Sequence, residues 1–259
     1  MTLRIAWFAT AKGTSSRKLL NAAQLAISEG RLDAEIVCVV CNRERGQSVN
    51  TDAFLDDAEQ AAIPIIASSS GEWRKRVRGE ISDPSAGLAR WRRDFDHHLY
   101  EQVKEHAPNL GMLAGYMLVI TDVICEQLPC LNLHPALPDG PIGTWQQVIH
   151  QLIRERAESS GMVLQRVTTE LDRGPTVTWA QYPIRGPEFD ALWETHQVDS
   201  ESETPLFHAI RQAGASREPT FILESLQSLA DGTARMPDAL AGGAGTEITA
   251  QVEQARKLE

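Results

Sequence analysis

The sequence is poor in the features that mark several special classes of protein. Of its 259 residues, 6% are aromatic and four are cysteine. No segment approaches the roughly 20 consecutive apolar residues of a membrane-spanning helix. So few cysteines do not form the dense disulfide framework of small secreted domains. The apolar start at 3–9 is too short for the hydrophobic part of a signal peptide. These absences predict a cytoplasmic protein that spans no membrane and keeps its thiols reduced.

Basic residues are also in short supply. Lys and Arg number 25 against 35 Asp and Glu, which gives a formal net charge of −10. A general nucleic-acid binder needs a basic face to neutralise phosphates, so this balance argues against nucleic acid as a partner. It leaves room for a local basic pocket that binds a small anion. Apolar residues make up 42% of the chain, which is enough to bury a large core.

Apolar runs alternate with segments of helical periodicity along most of the chain. Strands are predicted at 3–9, 34–41, 64–67, 110–115, 130–133, 161–167 and 176–184, the last two as an adjacent antiparallel pair. Helices are predicted at 19–30, 51–62, 91–103, 122–127, 144–156, 204–212, 221–230 and 248–258. Such alternation predicts an α/β fold with a Rossmann-like, doubly wound, mainly parallel sheet, whose ligands bind beyond the carboxyl ends of the strands.

Two segments fall outside this alternation. Residues 69–87 read as an extended connection with a basic cluster of Arg74, Lys75, Arg76 and Arg78, which is typical of a solvated loop or short helix face and less often of an anion site. An Ala- and Gly-rich linker at 239–245 divides the chain into a domain at 1–232 and a linker with a helical tail at 233–259. Cys38 and Cys41 form a CxxC, but inside an apolar run, where we expect buried strand cysteines and not a redox or metal pair.

The most informative polar side chains lie at the end of the fifth predicted strand. Alternate residues of a strand share a face, so Asn132 and His134 point the same way. Pro135 has no N–H and ends the pairing, which places His134 at the carboxyl edge of the sheet. An amide can hydrogen-bond a developing oxyanion and an imidazole can move protons near neutral pH, so the pair suits acyl transfer. An Asn-x-His on a strand is by itself weak evidence.

Two further segments could take part in function, but each also has a simple structural interpretation. Asp172 precedes Gly174 and Pro175 in a tight loop, where it could face the same edge or form an ordinary Asx turn. Between the first strand and the first helix, Gly13, Thr14 and Ser15 could cradle an anion with backbone N–H groups, or could simply cap the helix. This turn is neither a dinucleotide-binding nor an ATP-binding glycine motif.

Taken together, these segments resemble the folate-dependent formyltransferases over about residues 3–232, and most closely the branch that formylates glycinamide ribonucleotide. The motifs are Gly-Thr-Ser at 13–15, Leu-Ala-Gly-Tyr-Met at 113–117, Leu-Asn-Leu-His-Pro at 131–135 and Thr-Glu-Leu-Asp-Arg-Gly-Pro at 169–175. The order and spacing of Asn-x-His-Pro and Leu-Asp-x-Gly-Pro are specific for this fold, and less so for the formyl acceptor.

The resemblance implies a set of roles. Asn132, His134 and Asp172 correspond to the catalytic residues. The implied substrate-binding residues are Gly13, Thr14, Ser15, Arg92, Pro135 and Glu218. The implied residues around the folate are Met117, Leu118, Val119, Thr168, Thr169 and Glu170. The implied co-substrate is 10-formyltetrahydrofolate, without a metal, and the implied partners are small molecules that bind a monomer or homodimer.

Four departures from the family pattern touch the acceptor pocket. The loop after His134-Pro135 reads Ala-Leu-Pro-Asp-Gly-Pro, Gln165 replaces a second histidine, Leu118 replaces an arginine, and Ser15 replaces an asparagine. The leading hypothesis is formyl transfer to glycinamide ribonucleotide in purine biosynthesis. The alternatives are transfer to another small amine, such as an amino sugar nucleotide, hydrolysis of 10-formyltetrahydrofolate, and a non-catalytic binder, against which the intact catalytic residues count.

Overall fold

A computed structural model of the protein describes residues 2–77, 90–196, 203–239 and 243–258. Arg78 and most of the predicted 69–87 connection lie outside the described residues, as do 240–242 of the predicted linker. The chain forms two compact units. The first comprises 1–132 and 166–173, and the second comprises 133–165 and 174–259.

The first unit is built on parallel strands. They are β1 Leu3–Ala9, β2 Ala34–Cys41, β3 Ile65–Ala67, β4 Leu110–Leu113 and β5 Cys130–His134, whose last two residues fall in the second unit. The strand order is β3-β2-β1-β4-β5, and every pair in it is parallel. The order reverses between β1 and β4, and ligands of doubly wound sheets bind at this reversal. The predicted doubly wound, mainly parallel fold is confirmed.

The helices of the first unit follow the predicted periodicity closely. They are α1 Ser15–Ser28, α2 Val49–Gln60, α3 Ser70–Arg76, α4 Arg90–Val103 and α5 Asp122–Cys125, with a 3₁₀ turn at Lys104–His106. On α4, an apolar side chain recurs at every fourth position and packs in one core with Phe8 of β1 and Val40 of β2. Burying each large apolar side chain contributes roughly 1.5–3 kcal/mol. Of the readings offered for the basic cluster, the short helix face is what the structure shows at α3, where the Ser69 side chain caps the helix by accepting a hydrogen bond from the Glu72 N–H.

The second unit combines three strands with five helices among the residues described there. The strands are β6 Ser159–Arg166, whose last residue falls in the first unit, β7 Thr176–Pro183 and β8 Thr246–Glu247. The helices are α6 Trp145–Arg154, α7 Asp190–Thr195, α8 Pro205–Ala215, α9 Glu218–Asp231 and α10 Thr249–Arg256. The antiparallel pairing of β6 with β7 is confirmed. The elements β8 and α7 were missed by sequence reasoning because they are only two and six residues long.

The predicted helical tail is packed into the second unit. α10 contacts α9 and β7, and Ile248 and Val252 are buried. A Thr249 hydroxyl accepts a hydrogen bond from the Gln181 N–H at 3.1 Å. Residues after the linker therefore contribute to the core of this unit.

The four cysteines are all free and buried, as predicted for Cys38 and Cys41. Burial raises the pKa of Cys38 to about 12 and that of Cys41 to about 11. Both thiols therefore stay protonated and unreactive near neutral pH. Among the described residues, no helix is long and apolar enough to cross a membrane.

Candidate active site

The loops that follow β1 and β4 are joined by hydrogen bonds at the carboxyl ends of these strands. The Thr10 N–H donates to the Gly115 carbonyl at 3.1 Å, and the Thr10 hydroxyl accepts the Met117 N–H at 2.7 Å. Gly115 has φ +76°, and a Cβ there would lie 2.8 Å from the Ser16 hydroxyl oxygen. The close approach therefore requires glycine. Thr10 was missed by sequence reasoning, because nothing in the sequence distinguishes it from an ordinary strand-end threonine.

The start of α1 is open to an anion. Gly13, Thr14 and Ser15 are exposed, and a Cβ at Gly13 would meet nothing within 4 Å. Thr14 occupies the N-cap position but its side chain makes no capping hydrogen bond, and no acidic residue lies in the first turn. The free N–H groups and the positive end of the helix dipole suit a phosphate or carboxylate. Of the two readings of this turn, a hydroxyl cap by Thr14 is not what the structure shows.

The segment 117–121 presents an apolar side chain to solvent while its backbone is held from the interior. Met117 is 71% exposed. Behind it, the Arg92 guanidinium donates to the Val119 carbonyl, and the Asp96 carboxylate accepts the Thr121 N–H at 2.7 Å. Arg92 is only 4% exposed. Its placement in the interior leads us to a role different from the substrate contact that the resemblance implied.

Burial dominates the electrostatics of this region. It raises the pKa of the Asp96 carboxyl, while the hydrogen bond from the Thr121 N–H and the charge of Arg92 act in the opposite direction. It lowers the pKa of the Arg92 guanidinium, and the charge of Asp96 opposes that change. It also raises the pKa of Tyr116. Each of these groups is thus less favourable in its charged form than it would be in water.

The loop at 166–173 also belongs to the first unit. The Val167 N–H donates to the Cys130 carbonyl at 2.7 Å, which attaches the loop to β5. The Thr168 hydroxyl and the Glu170 backbone form a small turn, with contacts of 3.2 and 3.3 Å. Asp172 is half-buried and has φ +52°. Aspartate tolerates this left-handed conformation better than most residues, which explains its place in the turn.

Asn132 is the last β5 residue of the first unit. It is half-buried and pairs with Leu113, the last residue of β4. Asn132 therefore lies beside the carboxyl end of β4 and two residues before the last residue of β5.

His134 is held by a backbone carbonyl within the second unit. The residue is 7% exposed, and Nε2 of its ring lies 2.8 Å from the Pro141 carbonyl oxygen. A carbonyl can only accept, so Nε2 carries the proton and donates. In the neutral ring, Nδ1 is then the nitrogen left to accept a proton. No sequence pattern indicated this partner, because the contact is made by main chain.

The loop that carries Pro141 is anchored at the start of α6. Thr144 and Gln147 form a reciprocal capping box. Gly143 has φ +121°, and a Cβ there would lie 2.5 Å from the Gln147 Oε1. The departure from the family pattern after His134 thus falls on the backbone that holds this histidine.

Glu218 and Pro135, both in the second unit, line a small cavity. The Glu218 carboxylate accepts from the Arg211 guanidinium at 2.6 Å, and the Arg211 guanidinium carbon lies 4.9 Å from the centre of the Trp145 ring. The cavity measures about 20 Å³, which is room for one water molecule and not for a substrate. Substrate contact by Glu218 remains a prediction.

The predicted site residues are divided between the two units. The first unit holds Gly13, Thr14, Ser15, Arg92, Met117, Leu118, Val119, Asn132, Thr168, Thr169, Glu170 and Asp172. The second holds His134, Pro135 and Glu218. Within the described part of the chain, no three His, Cys, Asp or Glu side chains come together as a metal-binding group.

Comparison with known proteins identifies the family of the chain, independently of this geometry. The sequence profile described as "Formyl transferase" matches residues 3–194, about three quarters of the chain. The chain belongs to the formyl transferase family. A phosphoribosylglycinamide formyltransferase of Saccharomyces cerevisiae is 27% identical over 208 residues, which cover 76% of this chain and 91% of that protein.

Solved structures agree on the fold of the family. The phosphoribosylglycinamide formyltransferase of Coxiella burnetii superimposes with a TM-score of 0.64 at 21% identity, over 96% of this chain and all of that one. A formyltetrahydrofolate deformylase of Pseudomonas syringae gives a TM-score of 0.63 at 16% identity, over 92% of this chain and 65% of that one. Likeness at these identities shows the fold and does not distinguish transfer from hydrolysis.

Proposed function

We propose that this protein transfers the formyl group of 10-formyltetrahydrofolate to the primary amine of glycinamide ribonucleotide, a step of purine biosynthesis. The observation that carries the proposal is the intact pair of motifs around His134 and Asp172 in a chain of the formyl transferase family. The yeast relative carries the name of this activity and is matched over nearly its whole length.

Each proposed role rests on the chemistry of the transfer. The amine nitrogen attacks the formyl carbon, the carbonyl electron pair moves to oxygen, and the bond from carbon to N10 then breaks. We assign stabilisation of the oxyanion to the Asn132 amide and to His134 in its imidazolium form, in which Nδ1–H can donate while Nε2–H stays on the Pro141 carbonyl. We assign to Asp172 the movement of the proton from the amine to the departing N10. Such donors and acids each contribute about 100-fold or more to a rate.

The binding roles are assigned from the exposure and the chemistry of the residues. The open start of α1, with Gly13, Thr14 and Ser15, is suited to the phosphate of the ribonucleotide. Exposed Met117 and Leu171 are suited to the flat, apolar ring system of the folate, beside Leu118, Val119 and the 168–170 turn. We propose a cytoplasmic enzyme that works without a metal, nucleic acid or membrane, as a monomer or homodimer, with Pro135 and Glu218 near the acceptor.

One observation keeps a second acceptor under consideration. Glu218, predicted to contact the substrate, is engaged by Arg211 at 2.6 Å. A carboxylate already paired is a weaker partner for an amine or hydroxyl, which favours an acceptor other than glycinamide ribonucleotide, such as an amino sugar nucleotide.

One assay separates the candidates. The purified protein is incubated with 10-formyltetrahydrofolate, with and without glycinamide ribonucleotide, and both tetrahydrofolate and formylated product are measured. We expect tetrahydrofolate release that depends on the acceptor, with one formylated product formed per tetrahydrofolate. Release that ignores the acceptor and yields formate would establish hydrolysis. Release only with an amino sugar nucleotide would establish the second acceptor.

A further inference from the structure

A buried group of polar side chains lies behind the segment 117–121. We call Arg92, Asp96, Tyr116 and Thr121 the buried polar cluster. All four residues are at most 6% exposed. Arg92 and Asp96 are four residues apart on α4, so both project from one side of this helix.

The cluster holds main chain that has no regular structure of its own. The Arg92 guanidinium donates to the Val119 carbonyl, and Asp96 accepts the Thr121 N–H at 2.7 Å. Residues 116–121 form neither strand nor helix, and the Thr121 side chain does not cap α5. Buried backbone groups outside regular structure need such partners.

The buried polar cluster is expected to contribute little to folding stability. The Arg92 Nε, an Asp96 carboxylate oxygen and the Tyr116 and Thr121 hydroxyls are buried without a hydrogen-bond partner among the described residues. Burying a charged group costs free energy that the attraction of a neighbouring opposite charge often does not repay. Unpartnered buried polar atoms make the balance worse. The arrangement therefore calls for a reason other than stability.

We propose that Arg92 and Asp96 are positioning residues that fix the 117–121 backbone in the conformation that receives the folate. This inference rests on the proposed function in one respect: it takes Met117, Leu118 and Val119 as folate contacts. The two side chains act from behind the segment, through its carbonyl and N–H groups, and do not touch the folate themselves.

The first test replaces Arg92 and compares it with its neighbour. Arg92→Met keeps an unbranched apolar side chain but removes the donor to Val119. Arg93→Met is the matched control, because Arg93 is the next residue of α4 and its contact is an exposed pair with Asp122 of α5 at 2.6 Å. We expect Arg92→Met to raise the KM for 10-formyltetrahydrofolate about 10- to 30-fold, with kcat and the acceptor KM changed less than about threefold. Arg93→Met should leave all three within about twofold.

A second variant covers the case in which Arg92→Met does not fold. Asp96→Asn keeps the shape and an oxygen that can accept the Thr121 N–H, but removes the charge opposite Arg92. We expect a rise of about three- to tenfold in the folate KM. We also expect faster amide hydrogen exchange in a peptide covering 117–121, with unchanged exchange in β1 and β2. Equal exchange at 117–121 in Asp96→Asn and the unaltered protein would overturn the inference.

Binding without turnover separates this inference from the proposed function. Equilibrium dialysis with tetrahydrofolate is carried out on the unaltered protein, Arg92→Met and Arg93→Met. An unaltered protein that does not bind tetrahydrofolate contradicts the proposed function. Binding by the unaltered protein that is equally tight in Arg92→Met contradicts only the positioning role. A parallel fall in kcat and in binding of both substrates would indicate general damage, and would likewise overturn the positioning role.

Discussion

The two units hold their candidate functional groups in opposite ways. In the first unit, side chains hold main chain: Arg92 and Asp96 fasten the backbone of 117–121. In the second, main chain holds a side chain: the Pro141 carbonyl orients the His134 ring. The difference teaches where substitution can act. The first arrangement is broken by changing the side chain that holds, whereas the second changes only when the path of the loop changes.

The largest effect is expected where the held group is itself the proposed catalyst. We expect His134→Ala to lower kcat about 100- to 1000-fold, because it removes the imidazole whose protonated Nδ1 donates to the oxyanion. Steady-state release of tetrahydrofolate measures the change, and a thermal melt checks that the variant is folded. His208→Gln serves as the control, since His208 is an exposed histidine of the same unit. Near-normal turnover by His134→Ala would remove this residue from the mechanism.

A change in the loop path tests whether main chain orients His134. Gly143→Ala places a Cβ against Gln147 at a backbone conformation that side chains rarely adopt. We expect a loss of about 1–3 kcal/mol in stability and a kcat lowered about tenfold or more, because the Pro141 carbonyl moves. Denaturant unfolding and steady-state kinetics measure the two effects.

The matched control for this loop is Gly186→Ala. Gly186 has φ +100° and open space around it, and its unit is the same. We expect a similar conformational penalty of about 1 kcal/mol with unchanged kcat. Equal kcat losses in the two variants would show that strain alone, and not the position of the carbonyl, lowers activity.

At the start of α1, stability and binding are expected to move in opposite directions. Ser15→Asp adds a negative charge to a first turn that has no acidic residue. The helix dipole should then stabilise the protein by about 0.3–1 kcal/mol. Competition with the substrate phosphate should raise the acceptor KM about tenfold. Ser15→Asn is the neutral control, expected to keep the KM within about twofold, and an unchanged KM in Ser15→Asp would place the phosphate elsewhere.

The smallest effect concerns an ion pair of the first unit that takes part in neither arrangement. Arg17 and Asn21 hydrogen-bond Asp57 and lower the pKa of its carboxyl. Since the pKa is lower in the folded protein, the pair contributes stability above the usual carboxyl range and loses it as pH falls through the lowered value.

Arg17 is half-exposed, so the contribution is small. We expect Arg17→Met to reduce slightly the difference in unfolding free energy between neutral and acidic pH, since solvent screens an exposed pair. Denaturant titrations at several pH values measure this. Arg31→Met, which removes an exposed pair with Glu29, is the control. A larger loss in Arg17→Met at acidic than at neutral pH would contradict the sign of the shift.

Local pattern was enough to predict most elements of the fold. β1 and β2 have the predicted bounds, and the ends of α4 and α6 lie within two residues of prediction, because a buried strand or an amphipathic helix is written in the spacing of its apolar residues. No bounds were predicted for α3, whose polar residues carry no apolar stripe, and β8 was missed because it is too short to show a period. The sequence also predicted that Asn132 and His134 share one face of a strand, since alternation along a strand is a local property.

Through its order of apolar and polar residues, the sequence by itself determined the strands, the helices, the parallel doubly wound class and the motifs that mark the family. Only the tertiary structure decided that Arg92 faces the interior, that Thr10 ties two loops together and that a proline carbonyl orients His134. These contacts join residues 7 to 107 positions apart, or use main-chain atoms that every residue possesses. Their partners are therefore chosen by how the chain packs, and no spacing along the sequence encodes them.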